Sequence, residues 1–561
     1  MNAEPAPDVH SSSYSYYPIA VAFVSGMTVM GVEMCASRLM APFFGMSLSI
    51  WTAIIGSTMI ALTAGYYLGG ILAEKKPRMS FLGTLLFITG VFIVFLPYVT
   101  QPVMTIALER FAQQSPAGLL STADRGSYRI LTALMVSALL ISAPVVVLGM
   151  TSPFIIRMDS LQSGSPEVGR ISGKVFAFST LGSILGTFLP ALVLVPLVGV
   201  RFSFLLFGGA LLGISLWSTK RARLLSAATA LVVLALALML GLQARGVRHG
   251  QHLVSEKETN YQLVQILRVP LDEDHRGVKS YETILMTDAG LGVQSLWTEG
   301  RPYTDSWQDF YSAVPRIYQA CNKGNRPKRL LLLGLGGAVA PYMISRTYPD
   351  TIIDAVEIDS DLIEAAKPFF PFGRVERLTI HIADARFFLR TTAAKYDVII
   401  IDVYRSAHIP FHVATAEFFA EVKNHLQENG ILAMNVGCRG QKQVFKGIAN
   451  TVASVFPSVY FAEYYLPPDK TVFDSRFLIA ADRELNLEDP LTERWIFSVR
   501  DPEWRDTLRT MKSRRNPADL HTPYFKKVLY DPAQHVFLDD LSSMEIIAER
   551  EFGGLILGLG K

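Results

Sequence analysis

Four short motifs in the second half of the sequence place glycine or a carboxylic acid directly after an apolar run. Glycine lets the chain turn tightly and approach a ligand without a Cβ in the way. A carboxylate can accept both hydroxyls of a ribose, and a second one can accept an adenine amino group. The first acid follows the glycines by about 20 residues, the spacing of a nucleoside-binding unit. The candidate binding and catalytic residues are Gly334, Gly336, Glu357, Asp384, Ala385 and Asp402.

Asp402 closes the run YDVIIID (396–402) and is the candidate general base. A general base must lie within hydrogen-bond reach of the proton that it removes. The alternative is that Asp402 only caps a helix, although the next residues, VYRSAHIPFH, do not start one promptly. His408 and His412 in this loop could cover the site, but the sequence has no metal-ligand spacing, so no metal is expected.

A sheet is needed to bring these motifs together. Apolar runs alternate with amphipathic segments from residue 329 onward, which predicts a doubly wound α/β domain with a parallel sheet. Ligands of such sheets bind outside the carboxyl ends of the strands. A small antiparallel β-unit and a helix at 306–321 are expected before it. Strands are predicted at 261–269, 281–288, 293–297, 329–333, 352–357, 378–382, 396–402 and 430–436, and helices at 338–347, 360–368, 385–392, 413–427 and 441–454.

The first half of the sequence has the composition of a membrane domain. The 561-residue chain is 50% hydrophobic and only 18% charged, whereas soluble domains have about 25% charged residues. Most of its seven apolar runs reach the ~20 residues that a helix needs to cross a bilayer. We therefore predict an all-α, multi-pass domain in the inner (plasma) membrane. The runs lie at about 18–41, 50–73, 81–100, 130–150, 175–199, 202–218 and 224–242.

Basic loops predict the orientation of this domain. The loops at 75–78, 157–174 and 220–223 are basic, and the positive-inside rule places all three in the cytoplasm. Seven spans then put residue 250 onward outside the cytoplasm, where a nucleoside-dependent domain lacks its ligand. A count wrong by one helix, or a re-entrant segment at 146–160, resolves the conflict, and we prefer the former with a cytoplasmic soluble domain.

Glu33 and Arg38 lie in or at the end of the first apolar run. Charged side chains inside a membrane are unfavourable, so the two residues are a candidate site that lines a path through the helices. The alternatives are a structural ion pair and an Arg38 side chain that reaches the membrane interface.

Residues 255–485 resemble the spermidine synthase (polyamine aminopropyltransferase) family. The whole chain is similar to membrane-fused members of this family, whose N-terminal helices are sometimes labelled transporter-like. The resemblance rests on Tyr261-Gln262, on LMTDAGLGVQ (285–294), on GLGG (334–337), on Glu357-Ile358-Asp359, on Asp384-Ala385 and on YDVIIID (396–402).

The resemblance implies a Rossmann-like, S-adenosylmethionine-type methyltransferase sheet behind an N-terminal β-unit. It also implies that Gln262, Glu357 and Asp384 hold the nucleoside of the donor. Asp402 would take a proton from an attacking amine. Asp288, Tyr404 and Arg405 are further candidate substrate contacts.

Three positions depart from the family pattern. Gly337 replaces the acid of the glycine loop, and Arg405 replaces the second acid of the Asp-Ser-Ser-Asp-Pro loop. The family's Tyr-Gln pair falls near Asp309-Phe310. Arginine would repel a cationic diamine but can bind a carboxylate in a bidentate pair. The donor is then intact S-adenosylmethionine with Arg405 near its carboxylate, or the acceptor is not putrescine. Alternatively, Arg405 faces solvent or pairs with Asp305 or Asp309.

The leading functional hypothesis is a membrane-bound transferase of polyamine biosynthesis. It would move an aminopropyl-type alkyl group from S-adenosylmethionine or its decarboxylated form to an amine, or eliminate or cyclise the donor without an acceptor. One alternative is a transporter or sensor whose soluble domain binds an adenosyl nucleoside. Another is a degenerate scaffold, against which the retention of all four motifs argues. No cofactor beyond the donor is expected.

Five segments are predicted along the chain. Basic residues exceed acidic ones by eight before residue 251, while acidic residues exceed basic ones by five after it, so nucleic acid is excluded as a partner. A homo-oligomer remains open. The segments are a flexible tail (1–17), a transmembrane domain (18–245), a small β-unit (251–300), a Rossmann-like domain (301–485) and a C-terminal extension (486–561) that we expect to be helical.

Overall fold

A computed structural model describes most of the chain, which divides into a helical unit from the N-terminal half and a unit that contains the sheets of the C-terminal half. The described residues are 16–44, 48–114, 122–163, 168–218, 223–243, 252–271, 280–287, 292–301, 304, 306–405, 408–438, 443–464, 474–487 and 524–539. The predicted tail (1–17) lies almost entirely outside them.

Each of the seven predicted apolar runs lies in helical structure. A π-helical segment, Pro190–Leu194, joins α5 to α6, and Gly199 in α6 has a non-helical φ of 78°. The segment 146–160 is helical throughout. The helices are α1 (Tyr16–Phe44), α2 (Leu48–Lys75), α3 (Met79–Gln114), α4 (Thr122–Ser163), α5 (Val168–Leu189), α6 (Val195–Ser218) and α7 (Arg223–Gln243).

Five helical segments among the described residues are long and apolar enough to cross a membrane. One of them, Val168–Leu216, has 49 residues and contains two of the predicted runs, and Ser226–Leu240 is a shorter apolar helix. The count of seven spans therefore stays a prediction. The five segments are Tyr16–Ala41, Trp51–Lys75, Met79–Thr100, Leu140–Leu161 and Val168–Leu216.

Small residues let α1 and α5 approach closely. A Cβ on Gly182 would lie 2.0 Å from the carbonyl oxygen of Phe23, and one on Gly186 would lie 2.1 Å from that of Met27. Helices in lipid associate through packing and not through the hydrophobic effect, and backbone contact of this kind needs glycine.

The small β-unit is a four-stranded antiparallel meander in the order β1-β2-β3-β4. Sequence analysis predicted three of these strands and missed β1, because its sequence LVSEKE lacks the alternation of a half-buried strand. Helix α8 (Asp309–Cys321) follows. The strands are β1 (Leu253–Glu258), β2 (Leu263–Pro270), β3 (Tyr281–Thr287) and β4 (Gly292–Thr298).

The five predicted strands of the larger sheet (β5 to β9) are parallel, and three further strands that were not predicted (β10 to β12) make the sheet mixed. Its order among the described residues is β12-β10-β11-β9-β8-β5-β6-β7, and β11 runs antiparallel to both of its neighbours. The five adjacent parallel strands make this a Rossmann-like α/β sheet. The strands are β5 (Arg329–Leu333), β6 (Ile352–Glu357), β7 (Leu378–Ile382), β8 (Tyr396–Ile401), β9 (Leu426–Cys438), β10 (Ser458–Tyr464), β11 (Asp474–Ala481) and β12 (Lys526–Lys527).

Helices cover both faces of this sheet. Leu330 and Leu332 of β5 pack in one core with α8 to α10, while Leu331 and Leu333 pack in a second core with α11 to α13. Successive strand residues point to opposite faces, so a run of leucines contributes to both cores. Each buried leucine side chain stabilises the fold by about 2 kcal/mol. The helices are α9 (Val339–Thr347), α10 (Ser360–Ala366), α11 (Ala385–Thr391), α12 (Ala416–His425) and α13 (Gln443–Val455).

The described part of the C-terminal extension (524–539) adds to the sheet. Lys527 pairs with Tyr460 at the sheet edge, and Phe525 and Phe537 are buried in the two cores. The expected helical tail is therefore wrong for these residues, because their aromatic side chains are buried against the sheet.

Candidate active site

The turn after β5 is built by glycine. Gly334 has a φ of 89° and Gly336 a φ of 53°, conformations that cost other residues free energy. A Cβ on Gly334 would lie 2.1 Å from the carbonyl oxygen of Asp402. The turn is therefore in backbone contact with the residue that ends β8.

Glu357, at the end of β6, accepts hydrogen bonds from this turn. Its Oε2 accepts from the amides of Leu335 (3.2 Å) and Gly336 (3.3 Å), and its Oε1 accepts from the amide of Asp359 (3.1 Å). Burial raises the pKa of Glu357, and the three backbone donors oppose this rise. An ionised carboxylate has about four acceptor sites, so Glu357 can still accept hydrogen bonds from a ligand.

Gln262 of the small β-unit reaches the Glu357-Ile358-Asp359 motif at the end of β6. Its Nε2 lies 3.5 Å from Oδ2 of Asp359, which also accepts a 2.6 Å bond from Thr259 Oγ1. Asp359 in turn caps α10 through the amide of Leu362. Burial raises the pKa of Asp359. Gln262 is thus held beside the Glu357 motif, while Asp359 is occupied in linking the two sheets.

Asp384 caps α11 and contacts a histidine. Its Oδ1 accepts from the amides of Arg386 and Phe387, both at 3.0 Å, and its Oδ2 lies 2.9 Å from Nε2 of His412. The hydrogen bond from His412 lowers the pKa of Asp384. Ala385 is buried as the first residue of α11. His412, which sequence reasoning left as a loop residue, therefore belongs to this motif.

Asp402 lies directly after β8 in a buried polar cluster. Its amide donates to the carbonyl oxygen of Leu333 (2.8 Å), and its Oδ1 accepts from Nδ2 of Asn435 on β9 (3.1 Å). The phenol of Tyr311 on α8 faces the carboxyl, and burial raises the pKa of both groups. The next helix among the described residues is the short turn Phe411–Val413, so Asp402 does not cap an α-helix.

Two polar atoms next to Asp402 have no hydrogen-bond partner among the described residues, the hydroxyl of Tyr311 and Oδ1 of Asn435. Tyr311 is 1% exposed and Asn435 is 5% exposed. Unsatisfied groups this deep are rare in proteins. Sequence analysis missed both, because they stand on elements distant in sequence and no spacing links them to Asp402.

Tyr404 and Arg405 differ in their surroundings. The Tyr404 hydroxyl donates to the carbonyl oxygen of Asn435 (3.0 Å) and accepts from the amide of Gly437 (2.7 Å), so it ties the loop to β9. Arg405 is exposed, and its backbone pairs with that of His408. Asp288 and Asp305 lie outside the described residues, and the Asp309 carboxylate accepts two hydrogen bonds from Thr304.

Gly337 has a steric reason to lack a side chain. A Cβ there would lie 2.6 Å from the ring of Phe370, and its amide donates to Ser295 Oγ (2.9 Å). An acid at this position would require Phe370 to move.

The sheet register brings these residues to one edge. Leu333 of β5 is level with Val356 of β6 and with Ile401 of β8, and Glu357 is level with Ile382 of β7. The glycine turn, Glu357, Asp384 and Asp402 follow these levels, so they line the carboxyl edge of four adjacent parallel strands. Such an edge is the ligand-binding edge of open α/β sheets.

Comparisons with known proteins agree with this architecture. A family profile described as the spermine/spermidine synthase domain matches residues 321–473. The chain is 26% identical over 309 residues to a probable polyamine aminopropyl transferase of Bifidobacterium longum, covering 53% of this chain and 62% of that protein. It is 34% identical over 149 residues to the eEF1A lysine and N-terminal methyltransferase of Bos taurus, covering 24% of this chain and 21% of that protein.

A solved structure shares this likeness at lower identity. The probable spermidine synthase from Corynebacterium glutamicum is 18% identical, with a TM-score of 0.39 and coverage of 52% of this chain and 98% of that one. Of the two curated relatives named above, the chain covers less than two thirds of the length. The match of residues 321–473 to the spermine/spermidine synthase domain and the similarity to an aminopropyl transferase support the spermidine synthase-like family predicted from the sequence.

Proposed function

We propose that the protein is a membrane-bound, spermidine synthase-like transferase that binds an adenosyl sulfonium donor at the carboxyl edge of its larger sheet. The observation that carries this proposal is the arrangement of Glu357 and Asp402 on either side of the glycine turn. In this proposal Glu357 binds the ribose, and a backbone turn that can approach a ligand separates it from the half-buried Asp402, whose pKa is raised by burial.

Donor binding is assigned to three side chains. Glu357 accepts from a ribose hydroxyl with the acceptor site, of about four, that the three backbone amides leave open. Gln262 lies beside it and can donate or accept at the same nucleoside. Asp384 is held by the amides of α11 and by His412, and its remaining acceptor capacity is assigned to an adenine amino group.

Asp402 is assigned as the general base. The amine nitrogen of the acceptor attacks the methylene carbon bound to the sulfonium, the carbon–sulfur bond breaks, and its electron pair stays on the sulfur as a neutral thioether. The proton lost by the nitrogen passes to Asp402. A raised pKa suits this role because it strengthens Asp402 as a proton acceptor.

Two departures from the family pattern indicate which donor and which acceptor the enzyme uses. Gly337 offers no carboxylate for a donor amine, and the exposed Arg405 stands where the family has an acid. We propose that Arg405 binds a carboxylate, so that the donor is intact S-adenosylmethionine, or that the acceptor is not putrescine. Elimination or cyclisation of the donor without an acceptor needs the fewest acidic contacts.

Methyl transfer is a second candidate function, favoured by the match to the eEF1A methyltransferase. The same base and the same nucleoside site would serve, because only the carbon attacked at the sulfonium differs. The products distinguish the two reactions, since alkyl transfer releases methylthioadenosine and methyl transfer releases S-adenosylhomocysteine.

The test is mass spectrometry of the products after full-length protein is incubated with each donor form, with and without amines. Methylthioadenosine is the expected product. S-adenosylhomocysteine alone would select methyl transfer. Donor binding without turnover, together with polyamine flux into vesicles, would replace the enzyme with a transporter or sensor.

We also propose that the helical unit lies in the plasma membrane with the sheet-containing unit in the cytoplasm. Large apolar side chains on its helices are 65% to 76% exposed, which suits lipid and not water. Cysteine labelling from either side of the membrane, at positions after residue 252, tests the orientation. The side chains are Ile60, Tyr67, Leu192, Leu197, Leu231 and Val232.

A further inference from the structure

Glu33 of α1 is a buried carboxyl within the helical unit. Its side chain is 4% exposed, and its Oε2 has no hydrogen-bond partner among the described residues. At about 1.5 Å per residue, Glu33 lies ~26 Å from the start of the Tyr16–Ala41 segment and ~12 Å from its end. The carboxyl is therefore inside a hydrocarbon core of about 30 Å and not at its surface.

Arg38 does not neutralise this carboxyl. Five residues of α-helix turn the side chain by about 140° around the axis, so Glu33 and Arg38 face different directions. Within the described part of the chain, Glu33 forms no ion pair, and the one polar side chain that acts on it is that of Thr58. The ion pair considered from the sequence is not formed.

Thr58 of α2 is fully buried, and its hydroxyl lies beside the Glu33 carboxyl. Serine and threonine hydroxyls in helices ordinarily bond to the carbonyl three or four residues earlier. The Thr58 hydroxyl makes no such bond, as is also true of Ser25 and Thr151. Hydroxyls of the helical unit that do make it, at 2.7 to 2.9 Å, belong to Thr28, Ser57, Thr89, Thr100, Ser203 and Ser215.

The chemistry of these two groups selects the ligand. An isolated carboxylate in a bilayer is unfavourable, so the site needs a cation. Calcium and magnesium ions require about six oxygen ligands or more, whereas the described residues contain no group of three or more His, Cys, Asp and Glu side chains that could hold a metal ion. A proton needs a single carboxylate oxygen, and the acid formed can donate to the Thr58 hydroxyl.

We propose that Glu33 and Thr58 form a proton-binding site inside the helical unit. The protonated Oε2 donates to Oγ1 of Thr58, which satisfies two atoms that otherwise lack partners. No ion pair of Glu33 occurs among the described residues, so a bound proton is the counter-charge that the site needs. The helices then carry a titratable group and do more than anchor the enzyme. This inference rests on membrane insertion and is independent of the chemistry at Asp402.

Infrared difference spectroscopy tests the site. Difference spectra of full-length protein in lipid nanodiscs are recorded between high and low pH, in water and in heavy water. We expect a protonated-carboxyl band that is lost in Glu33→Gln and kept in Asp402→Asn. A band set that is the same in Glu33→Gln and in the unmodified protein would overturn the proposal.

A second pair of variants leaves Glu33 in place. Thr58→Val removes the hydrogen-bond partner and should shift the carboxyl band to higher frequency, whereas Thr28→Val should leave it unchanged. Thr28 is a matched control because it is fully buried too but bonds to the carbonyl of Val24. An unchanged band in Thr58→Val also overturns the proposal. Donor turnover by the same samples reports separately on the enzyme, and extraction by carbonate reports on membrane insertion.

Discussion

Two glutamates, the buried Glu33 and the half-buried Glu357, show how the hydrogen bonds of a carboxyl depend on the surrounding backbone. Glu357 accepts hydrogen bonds from three backbone amides, whereas Oε2 of Glu33 has no partner among the described residues. The difference follows from the elements. A strand end and a glycine turn leave amides free, but a helix uses its own amides in its interior. A carboxyl in a helix therefore depends on another side chain or on a proton.

Substitution of Asp402 is expected to change the turnover rate more than substitution of any other carboxyl discussed above. We expect Asp402→Asn to slow turnover by about 10²- to 10⁴-fold, the usual contribution of a general base. Nucleoside binding should survive. Single-turnover kinetics with each donor gives the rate.

Asp397→Asn is the matched control at the other end of β8. Asp397 accepts from the amides of Lys328 and Arg329 and from Tyr318, away from the glycine turn. An Asp402→Asn rate equal to that of the unmodified protein would remove the general base from the mechanism.

Glu357→Ala should weaken binding of the donor by about 10- to 100-fold, since a hydrogen bond to a charged group contributes about 1.5 to 3 kcal/mol. The variant also leaves two amides of the glycine turn unpaired. Isothermal titration with methylthioadenosine measures the change. Glu364→Ala, which removes an exposed acid of α10, should bind as the unmodified protein does. Equal affinity in both variants would contradict the role of Glu357.

Gly334→Ala should destabilise the sheet-containing unit by about 1 to 3 kcal/mol, the range for a strained backbone conformation. The added Cβ would also press on the Asp402 carbonyl. Denaturant unfolding followed by tryptophan fluorescence measures the loss. Gly373→Ala meets no atom within 4 Å and should change stability little. If the two variants unfold alike, the backbone contact between the turn and Asp402 is not formed.

Tyr311→Phe should change the pH dependence of the rate more than the maximal rate. Burial raises the pKa of Asp402, and the Tyr311 phenol opposes this rise. Removing the phenol raises the pKa further, so the acid limb of the pH–rate profile should move to higher pH, because the base must be deprotonated to act. Tyr318 is a second tyrosine of α8, and its phenol donates to Asp397 of β8 instead of facing Asp402. Tyr318→Phe should therefore leave the acid limb in place. A shift to lower pH would contradict this sign.

The candidate site was largely predictable, because its motifs follow strands that read as continuous apolar runs. The order of strands β5 to β8 places their carboxyl ends together, so Gly334, Glu357 and Asp402 could be linked without coordinates. His412 could not, since 28 residues separate it from Asp384 and only the fold brings them into contact. Tyr311 and Asn435 escaped for the same reason.

Other parts of the fold could not be predicted from the sequence. Strand β1 is polar and charged, so it lacks the period of two that marks a strand, and the antiparallel β11 has no signal for its direction. In the helical unit, the apolar runs predicted helices, but hydropathy alone did not divide the 49-residue segment Val168–Leu216 into spans. The position of Thr58 beside Glu33 could not be predicted, because the two residues lie on different helices.

The most direct test of the account is calorimetric titration of the full-length protein with S-adenosylmethionine, its decarboxylated form and methylthioadenosine. Saturable binding that is weakened about 10- to 100-fold in Glu357→Ala and unchanged in Asp402→Asn is the predicted result. The absence of affinity for every adenosyl compound, in protein that unfolds cooperatively, would contradict the central claim that the carboxyl edge of the larger sheet is an adenosyl-donor site.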